Sequence, residues 1–453
     1  MDVFLTRGWL PIVVQVIAAV VLVVAVGWRT RRWRLRWVPL SLAVGAVAVG
    51  AVYWFIGYQG LADDPAPIVL WLWIGLTGAA VAVAVAGWRG TRWWRRGASL
   101  IAIPLCASCV ALGVDAWTGY LPTVTSAWDR VTGASLPSQT DEAGAADMRR
   151  RHVRPTHGVL VSVKIGDEAS GFRHRNELVY LPPSWFASDP PPRLPAVVMA
   201  DSEFGHPTDW PGTGEAQDVA DAFAAANGGN APVLVFTDTS GEFVNDTECV
   251  NGVRGNAADH LTKDVVPYVV SHFGVSPDRT NWGIVGWSTG GTCALTMAVT
   301  HPELFSAFVD IDGELTPNAG SRKQTIARLF GGDATAFAAF DPATVMTSHG
   351  PYTGVAGWFA VSGGGPAVYR PAGSAQPTIQ NPDDIDEEDH AAVANYLCSL
   401  ASSDDIPCAV VPVDGAHDWG TAAKVFTAAL PWLAGRLGTP TVLGAPLPGA
   451  PAS

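Results

Sequence analysis

The sequence has few charged residues, and over most of its length positive charge is the scarcer kind. Asp, Glu, Lys and Arg make up only 15% of the 453 residues, whereas 48% are hydrophobic, and this balance excludes an intrinsically disordered chain. After residue 120, 18 basic residues face 37 acidic ones, a net charge of −19. Such a surface repels phosphate backbones, so no nucleic acid is expected as a partner.

Motifs for cofactors and metals are also missing. The sequence contains no glycine-rich phosphate loop, and its histidines and cysteines do not follow the spacing of a zinc site. A calcium site is one interpretation of the acidic run at 383–389, but the start of a solvated helix explains the run better. The sequence therefore predicts no metal and no cofactor.

The first 120 residues differ in composition from the rest. They carry 10 basic and 4 acidic residues, a net charge of +6, and 11 of the 19 tryptophans. Four apolar stretches are each long enough to cross a hydrocarbon core of about 30 Å as a helix. They lie at about Trp9–Gly27, Val38–Tyr58, Pro67–Gly87 and Ala98–Thr118. An all-α transmembrane region of four helices is therefore predicted over residues 1–118.

The connections between these stretches predict their orientation. Five arginines between Arg29 and Arg36 separate the first two stretches, and four between Arg89 and Arg96 separate the last two. The middle connection instead carries Asp63 and Asp64. The positive-inside rule assigns the arginine-rich connections to the cytoplasm. The protein is then a multi-pass protein of the cell membrane, with everything after residue 118 extracytoplasmic.

The remainder of the chain is predicted to be one α/β domain with loose flanks. Residues 119–156, rich in Thr, Ser, Gly and Ala, are expected to form an extracytoplasmic linker. Between residues 157 and 437, short apolar runs alternate with helical patterns, which predicts a mostly parallel sheet covered by helices. Residues 438–453, rich in Pro, Gly and Ala, are expected to be a flexible tail.

The most informative segment is Gly286-Trp-Ser-Thr-Gly290, between an apolar strand and a helix of small residues. This G-x-S-x-G pattern holds a serine on a sharp turn from strand to helix, and its glycines avoid clashes with neighbouring elements. The strand before it and the helix after it are the context that this mechanism requires. Ser288 is therefore the candidate nucleophile, with Gly286 and Gly290 forming the elbow; the alternative is a plain glycine-rich turn.

A serine hydroxyl needs a base, and in this arrangement the chain order is serine, acid, histidine. His417 follows the last predicted strand, Cys408–Val413, and precedes the last predicted helix, which is where the base belongs. His301 at the end of the nucleophile helix is interpreted as structural. His349 and His390 are interpreted as surface loop and helix residues.

The acid is less well defined by the sequence. It should follow the predicted strand Gly357–Ser362, but this strand runs into Gly363-Gly-Gly-Pro366 without a carboxylate. The next acids begin at a predicted helix start, where carboxylates also cap helices. We favour Glu387. The alternatives are Asp384, Asp386, Glu388, Asp389 and, after an earlier strand, Asp312.

Attack on an ester creates an oxyanion, which needs preorganised N–H donors. One donor is expected from the backbone of Thr289, directly after the nucleophile. The second is expected from the loop after the predicted strand Pro195–Ala200, with Glu203 or Phe204 nearest. His206 in the same loop is either a substrate contact or an ordinary loop histidine.

The six cysteines divide between the two regions. Cys106 and Cys109 lie in the fourth apolar stretch and are expected to act as small apolar residues. The other four lie in the extracytoplasmic part, where disulfides form. Among three possible pairings we favour Cys398 with Cys408, and Cys249 with Cys293, which would fasten a loop beside the nucleophile helix.

Several of these segments resemble a known family. They are Tyr180-Leu-Pro-Pro-Ser-Trp185, Pro207-Thr-Asp-Trp210, Gly286-Trp-Ser-Thr-Gly-Gly291, His301-Pro302 and Gly415-Ala-His-Asp-Trp419. Over about residues 157–437 the chain resembles the esterase D-like α/β-hydrolases, which include actinobacterial mycolyltransferases and cell-envelope esterases. In mycolyltransferases the acid is a glutamate at the start of the helix before the last strand, which Glu387 matches by spacing. The loop Asp201-Ser-Glu203 departs from the small or glycine-bearing pattern of that family.

The sequence thus predicts a membrane-anchored, extracytoplasmic serine esterase or acyltransferase. Its substrate would be an ester of a lipid or of a cell-envelope acyl group, attacked by Ser288 through an acyl-enzyme. The alternative is a catalytically silent α/β-hydrolase-fold protein that binds the envelope, motivated by the missing acid after Gly363 and by the unusual loop at Asp201. A four-span transporter is a third interpretation, which the scarcity of polar residues in the apolar stretches disfavours.

Overall fold

The computed structural model describes residues 3–27, 29–59, 66–88, 91–121, 123–242, 245–374, 385–386 and 389–451. The chain divides into two compact units, Met1–Ala134 and Ser135–Ser453. They are called the N-terminal and the C-terminal unit below. This boundary falls inside the stretch that the sequence analysis expected to be a linker.

The N-terminal unit is helical. Its helices are α1 (Trp9–Val26), α2 (Val38–Gln59), α3 (Ile68–Gly87), α4 (Trp93–Thr118) and the short α5 (Val124–Thr132), with a π-helical segment Trp33–Trp37 leading into α2. The first four are long and apolar enough to cross a membrane, with helical spans of 18 to 26 residues. They match the four predicted stretches to within a few residues, except that α4 begins five residues earlier and the π-helical segment extends the second span back to Trp33.

Small residues bring α2 and α3 together. A side chain added to Gly78 on α3 would lie 2.9 Å from the Cβ of Ala48 on α2, so this contact depends on the absence of a side chain. Large apolar side chains point outward instead: Val23, Val47 and Val85 are 70%, 71% and 75% exposed. This unit therefore carries its apolar surface on the outside.

The C-terminal unit is built on a sheet of ten strands in the order β1-β2-β3-β5-β4-β8-β9-β10-β12-β11, with a separate pair of short strands, β6 and β7. The strands are β1 (Gln139–Asp141), β2 (Val159–Val163), β3 (Glu177–Leu181), β4 (Ala196–Ala200), β5 (Val233–Phe236), β6 (Asn251–Gly252), β7 (Gly255–Asn256), β8 (Trp282–Trp287), β9 (Ala307–Ile311), β10 (Ala356–Ser362), β11 (Val368–Arg370) and β12 (Cys408–Val413). From β5 across to β12 all neighbours are parallel. The predicted mostly parallel sheet is confirmed.

Helices pack against this sheet. They are α6 (Glu142–Arg150), α7 (Ala216–Ala226), α8 (Ala257–Asp259), α9 (Val266–Phe273), α10 (Thr289–Thr300), α11 (Arg322–Phe330), α12 (Ala334–Ala338), α13 (Pro342–His349), α14 (His390–Ser403) and α15 (Trp419–Arg436). A π-helical segment, His260–Val265, joins α8 to α9. The residues of β4, β8 and β9 are buried throughout, as expected for central strands with both faces covered.

Two stretches expected to be loose take part in the structure. Within the expected linker, β1 pairs in parallel with β2, and α6 follows, its first turn capped by the Asp141 carboxylate, which accepts the Gly144 N–H at 2.8 Å. In the expected tail, Thr439 is buried and the Thr441 hydroxyl donates to the Asn227 carbonyl at 2.9 Å. Composition could not reveal β1, because Gln139-Thr-Asp141 shows no apolar alternation.

Both predicted disulfides are present. Cys249–Cys293 joins the loop before β6 to α10, and Cys398–Cys408 joins α14 to β12. Cys106 and Cys109 are free and buried in α4. The pairing predicted beside the nucleophile helix therefore fastens the loop at Cys249 to the element that begins at Ser288.

Candidate active site

The predicted elbow has the geometry that its glycines indicate. Ser288 connects β8 to α10 with a φ of 59° and a ψ of −126°, a left-handed conformation that costs energy for a non-glycine residue. A side chain on Gly286 would collide with the Gly290 carbonyl. One on Gly290 would lie 2.6 Å from the backbone oxygen of Asp201. Both glycines are therefore needed for the turn to close.

His417 lies where the sequence predicted the base. It occupies the loop between β12 and α15, and its Nε2 is 3.1 Å from the Ser288 Oγ. Two rings flank its imidazole at centroid distances of 5.1 Å, Trp287 on the nucleophile strand and His390 at the start of α14. These contacts restrict rotation of the ring. The sequence analysis took His390 for an ordinary helix residue and did not place it at the site.

A carboxylate faces the other nitrogen of His417. The Oδ2 of Asp312 lies 3.6 Å from the His417 Nδ1, an ion-pair distance. Asp312 is buried, and it accepts hydrogen bonds from both the backbone N–H and the hydroxyl of Ser362. Burial alone would raise the pKa of Asp312, but the His417 ring and the Ser362 donors outweigh it and hold the pKa below its usual range.

The sheet explains how Asp312 reaches this position. Trp287 at the end of β8 pairs with Ile311 at the end of β9, so the next residues, Ser288 and Asp312, leave neighbouring strands side by side. The Ser288 N–H donates to the Ile311 carbonyl at 2.9 Å, which fixes the two turns together. Ser362, which ends β10 where the acid was expected, supplies donors to Asp312.

The favoured acid, Glu387, lies outside the described residues, as do Asp383, Asp384 and Glu388. Among the described residues, Asp389 caps α14 by accepting the N–H groups of Ala391 and Ala392 at 3.0 Å. Among the residues that the structure describes, Asp312, a lesser alternative in the sequence analysis, is the carboxylate that lies beside His417. Its signal was its place directly after the strand next to the nucleophile strand.

One of the two predicted oxyanion donors, Thr289, lies at the elbow. Thr289 is the first residue of α10, and N–H groups in a first helical turn have no acceptor within the helix. The carbonyls of Ala200 and Asp201 lie within 2.7 Å of where a Gly290 side chain would begin, so the loop after β4 passes against this turn. In that loop the Gly205 N–H donates to the Ser202 carbonyl at 2.8 Å. Glu203 as the second donor stays a prediction.

Buried carboxyls support this end of the sheet. Asp310 on β9 accepts the Gly313 N–H at 2.9 Å, and burial, with a smaller contribution from Asp312, raises its pKa to about 7. In the loop after β4, burial and the nearby charge of Asp238 raise the pKa of Asp201 to about 8. The Arg175 guanidinium holds Asp238 at 2.6 Å and donates to the Gly205 carbonyl at 2.9 Å. A network of charged groups therefore positions the loop at Asp201.

A serine in a strained turn between strand and helix of a parallel sheet, with a histidine at its hydroxyl, defines the C-terminal unit as an α/β-hydrolase of the serine hydrolase class. Residues 119–342 match the family model described as "Putative esterase". This match agrees with the resemblance to esterase D-like α/β-hydrolases that the sequence shows.

The chain also resembles individual proteins, either at low sequence identity or without a described activity. An uncharacterized protein of Corynebacterium glutamicum is 34% identical over 248 residues, which are 53% of this chain and 55% of that protein. The chain thus spans about half the length of this relative. A ferulic acid esterase structure covers 62% of this chain and 99% of its own, at 17% identity and a TM-score of 0.47. An S-formylglutathione hydrolase from Agrobacterium tumefaciens covers 63% and 97%, at 15% identity and a TM-score of 0.45.

Proposed function

We propose that the protein is a membrane-anchored serine esterase or acyltransferase whose C-terminal unit faces the outside of the cell. The observation that carries the proposal is the 3.1 Å distance between the His417 Nε2 and the Oγ of Ser288, a serine held in a strained turn. The esterase family of residues 119–342 supports the reaction class.

In the proposed reaction, the Ser288 Oγ attacks the ester carbonyl while its proton passes to the His417 Nε2. The charge that develops on the carbonyl oxygen is stabilised by the Thr289 N–H and by a donor from the loop containing Glu203. The alcohol leaves with the proton from His417, and the acyl group stays on Ser288. Water or another hydroxyl then attacks the acyl carbon while His417 takes its proton. The bond to the Ser288 Oγ breaks, His417 returns the proton to Ser288, and the acid or the new ester leaves.

We propose Asp312 as the acid of this reaction, in place of Glu387. Its carboxylate lies on the Nδ1 side of His417 and its lowered pKa keeps it ionised at neutral pH. An ionised carboxylate there orients the ring and stabilises the imidazolium that forms during attack. This assignment also removes the main reason for the catalytically silent alternative, because that alternative was based on the missing acid after Gly363.

The membrane arrangement is part of the proposal. The four long helices of the N-terminal unit carry their apolar side chains on the outside, and the arginine-rich connections favour a cytoplasmic position. The two disulfides in the C-terminal unit support an oxidising compartment. A catalytic unit tethered to a membrane favours an ester of a lipid or of the cell envelope as substrate.

Labelling with a fluorophosphonate probe tests the reaction class and the acid together. The full chain is purified in detergent, and labelling rates are compared for wild type, Ser288→Ala, His417→Gln, Asp312→Asn and Glu387→Gln. We expect no labelling of Ser288→Ala, a loss of about 10³- to 10⁴-fold for His417→Gln and Asp312→Asn, and a near wild-type rate for Glu387→Gln.

The outcomes separate the two acids. A slow Glu387→Gln protein with an unchanged Asp312→Asn protein would return the acid to the run at 383–389. A folded wild-type chain that does not label would overturn the esterase proposal itself. Ser271→Ala, at an exposed serine on α9, is the matched control and should label like wild type.

A further inference from the structure

A second cluster of titratable side chains lies in the C-terminal unit apart from Ser288 and His417. His174 precedes β3, Glu177 is the first residue of β3, and His260 begins the π-helical segment. Their side chains are 6%, 0% and 0% exposed. One ligating atom from each lies within 4.8 Å of the others. The proposed reaction uses none of them.

The carboxylate of Glu177 is only half satisfied by the protein. Its Oε1 lies 3.1 Å from the His260 Nε2 and accepts the Asp238 N–H at 2.9 Å. Its Oε2 is buried and has no hydrogen-bond partner, since the His174 Nδ1, 3.9 Å away, is too far to donate one. A buried carboxylate oxygen without a partner is costly, so this atom calls for a cation or donor that the protein itself does not supply.

In both histidines the Nδ1 atom lies near an oxygen that can accept its proton, as is typical of metal ligands. The His260 Nδ1 lies 3.3 Å from the Asp264 Oδ2, and the His174 Nδ1 lies 2.8 Å from the Arg175 carbonyl. Metal-binding histidines typically donate the N–H of their second nitrogen to a carboxylate or to a backbone carbonyl. With Nδ1 protonated in each ring, the lone pair is on Nε2. The two rings stack with centroids 4.1 Å apart, so their nitrogens share one region.

The types of donor atom select the ion. Two imidazole nitrogens with one carboxylate oxygen suit zinc better than calcium or magnesium, which prefer oxygen ligands. The π-helical turn that carries His260 is a rare element that occurs frequently at functional sites.

We propose that His174, Glu177 and His260 bind a divalent transition metal of the zinc type, with Asp264 orienting His260. The site joins the segment before β3 to the π-helical segment, although these two parts of the chain lie far apart in the sequence. It also lies next to Arg175, whose guanidinium contacts Asp238 and the Gly205 carbonyl. The metal would therefore stabilise the support of the loop after β4. Metal binding does not depend on the proposed esterase activity.

Metal analysis of the full chain in detergent tests the site, using a protein without a histidine tag. Elemental analysis should find about one zinc per chain in wild type after dialysis. Glu177→Gln and His260→Gln should lose at least about 10-fold of this content. His301→Gln, at a partly exposed histidine bonded to Glu303, is the matched control and should keep it.

A metal titration of the wild-type chain tests the site without any variant, so its result does not depend on whether a variant folds. After chelator treatment, cobalt(II) should restore visible ligand-field bands at one equivalent, and zinc should abolish them. Zinc should also raise the thermal midpoint of the metal-free chain, whereas magnesium should not. Wild type without bound zinc and without cobalt bands would overturn the site, and the cluster would then be a hydrogen-bonded imidazolium. Equal zinc in wild type and Glu177→Gln would also overturn it.

Discussion

The two units use apolar residues in opposite ways. In the N-terminal unit Val23, Val47 and Val85 are 70% or more exposed, while the buried positions include small residues such as Ala18 and Ala102. In the C-terminal unit the strands β4, β8 and β9 are buried throughout. A chain folded in water hides large apolar side chains, and a helix bundle in lipid places small residues between helices. The difference is the one that the proposed membrane anchoring of the N-terminal unit predicts.

Gly290 in the C-terminal unit and Gly97 in the N-terminal unit differ in the room around them, and the largest expected effect tests this difference. Gly290→Ala should lower stability by about 3 kcal/mol and labelling by about 100-fold or more, because the new methyl group meets two backbone oxygens at 2.6 and 2.7 Å. Gly97→Ala on α4 meets no atom within 4 Å and should be neutral or stabilising. Thermal unfolding and probe labelling check both. Wild-type labelling by Gly290→Ala would contradict the elbow geometry.

One negative charge placed on an exposed valine of each unit tests whether that unit faces lipid or water. Val47→Asp near the middle of α2 should cost about 2.5 to 3.5 kcal/mol in lipid, because its side chain would face hydrocarbon. Val253→Asp in the C-terminal unit, where the valine is 67% exposed, should change stability by less than about 0.5 kcal/mol. Insertion yield and thermal stability in lipid nanodiscs measure both. Equal effects would count against a lipid-facing α2.

The dependence of stability on pH tests the raised pKa of the buried Asp310 in the C-terminal unit. Folding raises the pKa of Asp310 from about 3.8 to about 7, so between these values the folded chain keeps a proton that the unfolded chain has released. Stability should therefore fall as pH rises, by up to about 1.4 kcal/mol per pH unit. Asp310→Asn should make this slope shallower but not abolish it, because Asp201, whose pKa is also raised, contributes with the same sign; Ser288→Ala should leave the slope unchanged. Unfolding midpoints from pH ~4 to ~8 measure it, and an unchanged slope in Asp310→Asn would disprove the assignment.

The smallest expected effect concerns the hydroxyl that supports the acid. Ser362→Ala removes one donor to the Asp312 carboxylate but leaves the backbone N–H, so labelling should slow by about 10-fold, or about 1.5 kcal/mol. Ser41→Ala in the N-terminal unit removes only a hydroxyl bonded to its own helix and should leave labelling unchanged. A change of similar size in both variants would mean a general loss of stability.

Much of the fold, and Ser288 and His417 as candidate site residues, could be predicted from local sequence patterns. The strand at Cys408–Val413 begins and ends where the sequence predicts, and the strands predicted at Pro195–Ala200 and Gly357–Ser362 match β4 and β10 to within one residue. Ser288 and His417 were recoverable because each lies in a short segment whose local context defines its role. Apolar periodicity and the elbow motif carry this information within about ten residues.

The acid and the second cluster were not recoverable in the same way. The position of Asp312 beside His417 depends on which strands are neighbours, whereas the sequence favours Glu387, which lies outside the described residues, and holds Asp312 as an alternative. His260 lies 83 residues from Glu177, so no local spacing in the sequence indicates their contact. Only the order of strands and the packing of the π-helical segment bring such residues together.

The most direct test of the central claim is labelling of intact cells with a charged, membrane-impermeant fluorophosphonate. The account predicts that wild type is labelled on whole cells and that Ser288→Ala is not. Labelling only after the membrane is opened would contradict the outward orientation. Absence of labelling even in opened cells, with the folded chain present, would contradict an activated Ser288.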